Sequence, residues 1–363
     1  MPKIVIESHI PYVGNAFAGV ADTTFLPPER ITPEAVRDAD ALIVRTRTRC
    51  DAALLDGSRV RFVATATIGT DHIDLGYCRD NGIEVVSAPG CNAPAVAQYV
   101  WASVFTLRRD DWQGLTLGIV GLGHVGSIVA DWARRLGVKV LACDPPRQRR
   151  DGGWNPAEPF ASGSEPFVTL SDIAEKCDII TIHTPHTKTG RDATHHLADR
   201  HFFSSLKRKP VFINAARGPI VDTEAVLSAI SARQLSACVI DCWEGEPAIN
   251  RELLRLADIA TPHIAGYSVE GKRRATAAVV SAALRHFFHN GSPESVSPAA
   301  ECQVIGQYDQ NTVLTPGSIL ASYNPLVDSD LLKSTFNPAV FEQLRNNYPL
   351  RHELGFTDAV PVK

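Results

Sequence analysis

What the chain lacks narrows its class before any motif is read. None of its apolar runs approaches the roughly 20 residues that a helix needs to span a bilayer, so no membrane segment is expected. Its formal net charge is −4 over 363 residues. There is thus no basic surplus with which to hold nucleic acid, and any anionic ligand must be met by local donors. Eight cysteines are present (Cys50, Cys78, Cys91, Cys143, Cys177, Cys238, Cys242 and Cys302), but they form no C-x-x-C pair and follow no regular spacing. The opening MPKIVIESHIPYVG carries no apolar signal region. Reduced thiols in a cytoplasmic protein are expected, not a disulfide framework. Repeats of solenoid period and low-complexity tracts are missing as well.

What is there is globular. Hydrophobic residues make up 44% and charged residues 21%, and the chain is too long for one ordinary core, so two or three domains are expected. Short Val- and Ile-rich runs at Lys3–Ile6, Ala41–Val44, Phe62–Ala66 and Glu84–Val86 alternate with polar, helix-compatible segments. That alternation predicts βαβ units and a parallel sheet. Asn92 is placed to cap a helix running from Pro94 to about Arg109, which carries the chain into a second series. Strands are predicted there at Leu117–Val120, Lys139–Cys143, Ile179–Ile182, Val211–Asn214, Ala237–Ile240 and Ile259–Thr261. Pro145 to Pro166, rich in Pro, Gly, Ser and Arg, is predicted as a surface loop. A helix from about Val269 to Phe288 follows, and in the tail one helix is predicted from Pro338 to about Tyr348.

The strongest local motif is Gly121-Leu122-Gly123-His124-Val125-Gly126. Alone, G-x-G-x-x-G says little. Here it follows the strand LTLGIV and opens the helix VGSIVADWARRLG, and the next strand ends on Asp144, 18 residues past Gly126. This is the full context of a dinucleotide site. Gly121 permits the tight turn, Gly123 lets the backbone approach a pyrophosphate, and Gly126 lets helix and strand pack closely. The helix start offers free N–H groups and partial positive charge. Asp144 accepts from ribose hydroxyls and repels a 2′-phosphate, which favours NAD over NADP. Arg147, Arg149 and Arg150 behind it oppose that preference.

Three further polar groups follow predicted strands, where an open parallel sheet places its ligands. Arg217 lies in NAARGPIVD after VFIN, Glu246 in DCWEGEP after ACVI, and His263 in TPHIAGY after the strand at Ile259. Each alone is unremarkable; together they suit the oxidation of a 2-hydroxy acid. Hydride leaves C2 only as the hydroxyl loses its proton, so a base such as His263 is needed. A carboxylate on the other imidazole nitrogen, Glu246, would fix the tautomer and stabilise the imidazolium. Arg217, permanently charged and fork-shaped, would pair with the substrate carboxylate and polarise the C2 oxygen.

These motifs, with ATATIGTDHID (Ala64–Asp74), APGCNAPAVAQYV (Ala88–Val100), INAARGPIVD (Ile213–Asp222), DCWEGEP (Asp241–Pro247) and TPHIAGYSVEGK (Thr261–Lys272), resemble the D-isomer-specific 2-hydroxyacid dehydrogenase family. The resemblance implies an α/β fold of two doubly wound parallel-sheet domains with a small C-terminal α+β dimerisation domain. The flavodoxin-like substrate, or lid, domain would hold residues 1–103 and 264–288. The Rossmann NAD domain would hold 104–263 and the dimerisation domain 289–363. It further implies a homodimer acting on a small phosphorylated hydroxy acid, with Arg217, Glu246 and His263 catalytic. NAD contacts carry over to Asp144, Thr184, Ala215, Ala216, Arg217, Asp241 and Gly266, and substrate contacts to Thr46, Thr67 and Tyr267. Gln98 stands where the family often has Glu.

The residues add their own argument for an anionic substrate. Arg45, Arg47 and Arg49 alternate after ALIV and share a face if the strand continues, whereas a loop is needed for Arg45 and Thr46 to converge. Gly69 would let backbone N–H groups approach the substrate carboxylate.

No metal site is expected. His183, His186, His195 and His196 invite a zinc reading, but four converging ligands at motif spacing are missing. Cys91 and Trp243 are expected as packing residues. Other D-2-hydroxy acids, such as 3-phosphoglycerate or glycerate, suit the same trio, and an NAD-sensing corepressor-like protein is the rival of another class.

Overall fold

Short apolar runs interrupted by helices can bury both faces only in a parallel sheet, since each crossover lays a helix against it. A computed structural model describes residues 1–109, 111–151, 167–288 and 312–355. Among them every strand pair is parallel. The chain divides into two units, one built from Met1–Asn92 with the segment from Ser268, the other from Ala93–Tyr267 with the segment from Tyr308.

The first unit contains β1 (Lys3–Glu7), β2 (Asp22–Leu26), β3 (Ala41–Val44), β4 (Phe62–Thr65) and β5 (Glu84–Val86). They form a five-stranded sheet of order β2-β1-β3-β4-β5, the flavodoxin-like order. Its strands sort their side chains with period two. Ile4, Ile6, Ile43, Phe62 and Ala64 pack with Val279, Val280 and Ala283 of the helix Val269–Phe288. Val5, Leu42, Val44 and Val63 pack on Leu54 and Leu55.

The second unit contains β6 (Thr116–Val120), β7 (Lys139–Cys143), β8 (Ile179–Ile182), β9 (Val211–Asn214), β10 (Ala237–Ile240) and β11 (Ile259–Ala260). Their order is β11-β10-β9-β8-β6-β7. Strand order therefore reverses at β6, which pairs with β7 on one side and β8 on the other. A ligand crevice belongs at such a switch point. One face of this sheet packs on the helices Ala93–Arg108 and His124–Arg135 through Tyr99, Trp101, Phe105 and Trp132. The other packs on Ile173, Phe202, Phe203 and Trp243.

The structure departs from expectation in several places. β2 was not anticipated: DTTFL buries none of its five residues, so it lacks the pattern by which a strand is read. Pro145–Asp151, expected as loop, is helical, and the remainder of that stretch, 152–166, lies outside the described residues. Asn92 does not cap the helix at Ala93, because its buried Oδ1 has no hydrogen-bond partner. The units part at Asn92 and Ser268, not at 103 and 264, since the whole helix Ala93–Arg108 belongs to the second core.

The tail also belongs to that second unit. It holds the helices Pro316–Ser322, Pro325–Thr335 and Pro338–Asn346. Each begins with Pro at its first position behind a capping Thr315, Asn324 or Asn337, a strong helix-start signal. Ile319 joins one face of the sheet, and Leu332 and Phe341 join the other. Gln98, fully buried, donates to Ser322 Oγ at 2.8 Å and to the His352 carbonyl at 3.2 Å. The family departure at this position thus bears on how the tail is held.

Candidate active site

The glycine motif builds the loop between β6 and the helix His124–Arg135. Gly121 has φ +93°, and a Cβ there would lie 2.9 Å from the backbone of His183 and Thr184 after β8. A Cβ on Gly126 would lie 2.1 Å from the Gly121 carbonyl oxygen, so helix and turn approach as closely as glycine allows. At Gly123 the opposite holds: nothing lies within 4 Å of a Cβ position. Gly123 caps the helix without a side-chain bond, leaving the N–H groups at His124 and Val125 at the start of a 12-residue helix to face an anion. Thr184 Oγ1 is buried and has no hydrogen-bond partner. An open approach, a helix start and an orphaned hydroxyl together fit a dinucleotide.

Asp144 directly follows β7 beside this loop. Its Oδ2 accepts from Leu122 N at 2.8 Å and its Oδ1 from Arg147 N at 2.9 Å. A carboxylate offers about four lone-pair sites, so both oxygens keep capacity for ribose hydroxyls. The cations behind it are turned to other work. Arg147 donates to the Leu122 carbonyl at 2.5 Å and to Ser127 Oγ at 3.2 Å, and Arg149 pairs with Asp192.

The three residues expected to be catalytic come from the loops after β9, β10 and β11. His263 Nδ1 lies 2.8 Å from Glu246 Oε2, while Glu246 Oε1 accepts from Trp243 N at 2.7 Å. Burial raises the Glu246 pKa, but the adjacent His263 and Arg345 and the hydrogen bonds from His263 and Trp243 more than offset this, so the carboxylate sits below its usual range. Glu246 therefore stays anionic at neutral pH and loses its charge only as pH falls through the lowered value. With Nδ1 engaged, Nε2 is the imidazole nitrogen left for a substrate. Arg217 follows β9, its Nη1 donating to the Ala216 carbonyl at 2.8 Å. The loop geometry leaves no room for a side chain next to it: a Cβ on Gly218 would fall 1.9 Å from the Trp243 carbonyl oxygen.

Asp241, expected to contact NAD, is engaged with the loop that carries His263. It is 1% exposed. Oδ1 accepts from Thr261 Oγ1 at 2.7 Å and Ile264 N at 2.8 Å, and Oδ2 accepts from Ala265 N at 3.1 Å. Burial pushes its pKa up, while the charge of His263 and these hydrogen bonds pull it down, and burial prevails. The carboxylate is thus spent on the loop that runs through His263 to Gly266 and Tyr267. His263 itself has φ +57°, a left-handed backbone that a side-chain-bearing residue adopts only when its surroundings impose it. Those surroundings include its own N–H, which donates to the Asp241 carbonyl at 2.9 Å.

Asn214 is a residue the motif reading passed over. Its Nδ2 donates to the Arg217 and Cys242 carbonyls, both at 3.1 Å, and its Oδ1 accepts from Ala216 N at 3.2 Å. One buried amide thereby ties the loop of Ala215 and Ala216 to the loop of Glu246. A buried polar side chain ending a strand of apolar neighbours was the available signal.

In the first unit the predicted substrate residues occupy the loops after β3 and β4. β3 ends at Val44, so Arg45, Arg47 and Arg49 do not continue along a strand face. The cause is Glu7, 1% exposed, whose Oε2 takes Arg45 N and Thr48 Oγ1, both at 2.9 Å. Thr46 is exposed in the resulting turn. Arg45 Nη1 reaches the His9 carbonyl at 3.1 Å, and Arg49 pairs with Asp51 at 2.6 Å. Thr67 Oγ1 meets Thr65 Oγ1 at 2.7 Å and the Gly69 carbonyl at 3.1 Å.

The histidines considered for zinc go elsewhere. His183 is half-buried beside Thr181, 3.0 Å away, and desolvation holds its pKa down to about 3. His195 lies between His186, at 3.2 Å, and His196, which pairs with Glu244 at 2.7 Å. Among the described residues only one group of three or more, Cys242, Glu246 and His263, brings possible ligand atoms within 4.8 Å of one another. That is three where structural zinc takes four, and two of them are already bonded together. Trp243, 3% exposed, donates to the Thr261 carbonyl at 2.8 Å and is a packing residue.

A glycine loop at a switch point, an acidic ribose acceptor and a His–Glu pair with a nearby arginine define an NAD-dependent dehydrogenase. Residues 93–265 match the family model described as D-isomer specific 2-hydroxyacid dehydrogenase, NAD binding domain. The chain is 47% identical over 357 residues to an erythronate-4-phosphate dehydrogenase of Bacteroides fragilis, covering 97% of both chains. It is 39% identical over 365 residues to that of Pseudomonas fluorescens, covering 97% of this chain and 93% of the other. Its fold is shared with a D-lactate dehydrogenase of Aquifex aeolicus solved with NAD and lactic acid, at TM-score 0.63 and 24% identity, over 78% of this chain and 95% of that one. The chain belongs to the D-isomer specific 2-hydroxyacid dehydrogenase family, and its cofactor is NAD.

With Arg147 and Arg149 engaged elsewhere, Asp144 is the group expected to discriminate between cofactors. Asp144→Ala is expected to shift the kcat/KM ratio for NAD over NADP toward NADP by about tenfold or more, the worth of one charged hydrogen bond. An unchanged ratio in steady-state kinetics would remove Asp144 from the ribose site.

Proposed function

We propose that the protein oxidises 4-phospho-D-erythronate at C2 to (R)-3-hydroxy-2-oxo-4-phosphooxybutanoate, a step in the biosynthesis of pyridoxal 5′-phosphate. The observation that carries the chemistry is the 2.8 Å bond between His263 Nδ1 and Glu246 Oε2, with Arg217 on the loop that Asn214 ties to theirs. The substrate is named by the relatives, which match at 39–47% identity over nearly all of the chain.

His263 Nε2 takes the proton of the C2 hydroxyl, and Glu246 holds the ring and stabilises the imidazolium as it forms. Arg217 pairs with the substrate carboxylate and stabilises negative charge growing on the C2 oxygen. NAD, when bound, supplies the acceptor for the C2 hydride. Gly121, Gly123 and Gly126 position the cofactor with Asp144, Thr184, Ala215, Ala216 and Gly266, and Asp241 contributes through the loop it holds. Substrate contacts fall to Arg45, Thr46, Thr67, Gly69 and Tyr267. NADH formation should be faster with 4-phosphoerythronate than with 3-phosphoglycerate, D-glycerate or D-lactate. Turnover of one of these without the first would overturn the substrate. His263→Ala should lower kcat by about 10²–10⁴-fold, as loss of a general base does, with NAD affinity kept. Loss of both would make His263 a structural residue.

The protein acts as a homodimer assembled through its C-terminal segment. In support, Leu326, Val327 and Leu331 of the helix Pro325–Thr335 are 38%, 65% and 46% exposed, an apolar surface that a second copy would cover. A dimer mass is expected by light scattering, and a monomer from the Val327→Glu, Leu331→Glu variant. A monomeric wild-type protein, or a dimeric variant, would contradict this surface. The cytoplasm is the compartment that fits: seven cysteines are buried and free of disulfides, and Cys302 lies outside the described residues. No described helix is long and apolar enough to cross a membrane.

A further inference from the structure

An arginine from the tail reaches the catalytic pair. Arg345 Nη1, in the helix Pro338–Asn346, lies 3.7 Å from Glu246 Oε2, the oxygen that also meets His263 Nδ1. The two side chains are 19% and 17% exposed, so water screens the pair little. Arg345 also hydrogen-bonds Tyr267, whose ring meets Tyr348 edge-on at 6.1 Å.

Its placement follows from the tail sequence. Asn337 caps the helix, Phe341 anchors it in the core, and Arg345 stands one turn beyond Phe341 on the same side. Six residues further on, Arg351 donates to the Ile264 carbonyl at 3.2 Å, the Ala265 carbonyl at 2.5 Å and the Ala95 carbonyl at 3.1 Å, with its guanidinium 4.2 Å from the Tyr323 ring centroid. The tail therefore grips the loop just after His263 and touches the carboxylate that His263 uses. Both arginines lie outside the 93–265 match to the family model.

We infer that Arg345 is a positioning residue for proton transfer, sharing the Glu246 carboxylate with His263 and so limiting how strongly that carboxylate stabilises the imidazolium. A carboxylate between two cations serves each less than it would serve one, and a permanent cation close to an imidazole disfavours its protonated form. Around Arg345, Glu246 and His263 stand Asp241 and Glu342 as acids, Arg217 as the second cation, and the Tyr267 hydroxyl and Cys242 thiol. Removing Arg345 leaves Glu246 to His263 alone, which favours the imidazolium.

The inference rests on the proton-transfer role given to His263, but not on the substrate named above. It is tested on the full-length protein by NMR titration of the His263 imidazole, assigned with His263→Ala, in wild type, R345Q and R345K. No substrate is needed, so a wrong substrate cannot obscure the result. R345Q should raise the midpoint by about one pH unit, and R345K should leave it near wild type. The acid limb of kcat/KM should move with it. An unmoved midpoint in R345Q, or an equal shift in R345K, overturns the inference. A raised KM with an unmoved midpoint makes Arg345 a substrate ligand instead. R345M, which keeps the buried stem, replaces R345Q if that variant fails to bind NAD.

Discussion

The catalytic geometry depends first on one buried carboxylate. Asp241 directly follows β10 and gathers the Thr261 hydroxyl and the N–H groups of Ile264 and Ala265. Those residues bracket His263, so the bonds fix the loop on both sides of the base. They also hold the left-handed backbone at His263, which costs of order 1–3 kcal/mol and persists only where neighbours over-determine it. Glu246 can then meet Nδ1 at hydrogen-bond distance, with its other oxygen taken by Trp243 N. A base on a freely moving loop would meet this carboxylate only part of the time.

Around this centre the second unit uses its own sheet and its tail for the same purpose. Asn214 locks the loops after β9 and β10 together. The tail threads hydrophobic anchors into both faces of the sheet, Ile319 on one and Leu332 and Phe341 on the other. That anchoring sets Arg351 on the carbonyls after His263 and Arg345 beside Glu246. Truncating such anchors costs about 2–5 kcal/mol each, enough to hold long side chains against their rotamer entropy. The tail is therefore structural support for the loops that carry His263 and Glu246.

Much of this was legible in the residues, for reasons that differ by element. Buried parallel strands such as ALIV and ACVI are continuous apolar runs, and the structure keeps the predicted bounds of each. The glycine loop was legible because tight packing demands glycine at 121 and 126. The His, Glu and Arg were legible because sheet topology gathers strand ends. What escaped depends on tertiary partners. Glu7 halts β3 from a distant strand, so the alternating arginines were misleading. Arg345 meets Glu246 across about a hundred residues of sequence, and no spacing rule connects them. Asp241 sits in the expected place, but its carboxylate faces the loop, and only coordinates show which way a side chain is spent. The tail helices are a different case. Thr315-Pro316, Asn324-Pro325 and Asn337-Pro338 are readable starts, of which only the third was used.

The central claim is that Asp241 organises the base, and Asp241→Asn tests it most directly. The amide keeps the shape, but its NH2 must face either the Ala265 N–H or the Thr261 and Ile264 donors, leaving a buried donor unpaired. That costs about 1–3 kcal/mol, or roughly a 10- to 100-fold fall in kcat if the loss falls on the transition state. The account predicts such a fall in single-turnover NADH formation, with NAD binding retained. A rate within twofold of wild type would contradict it.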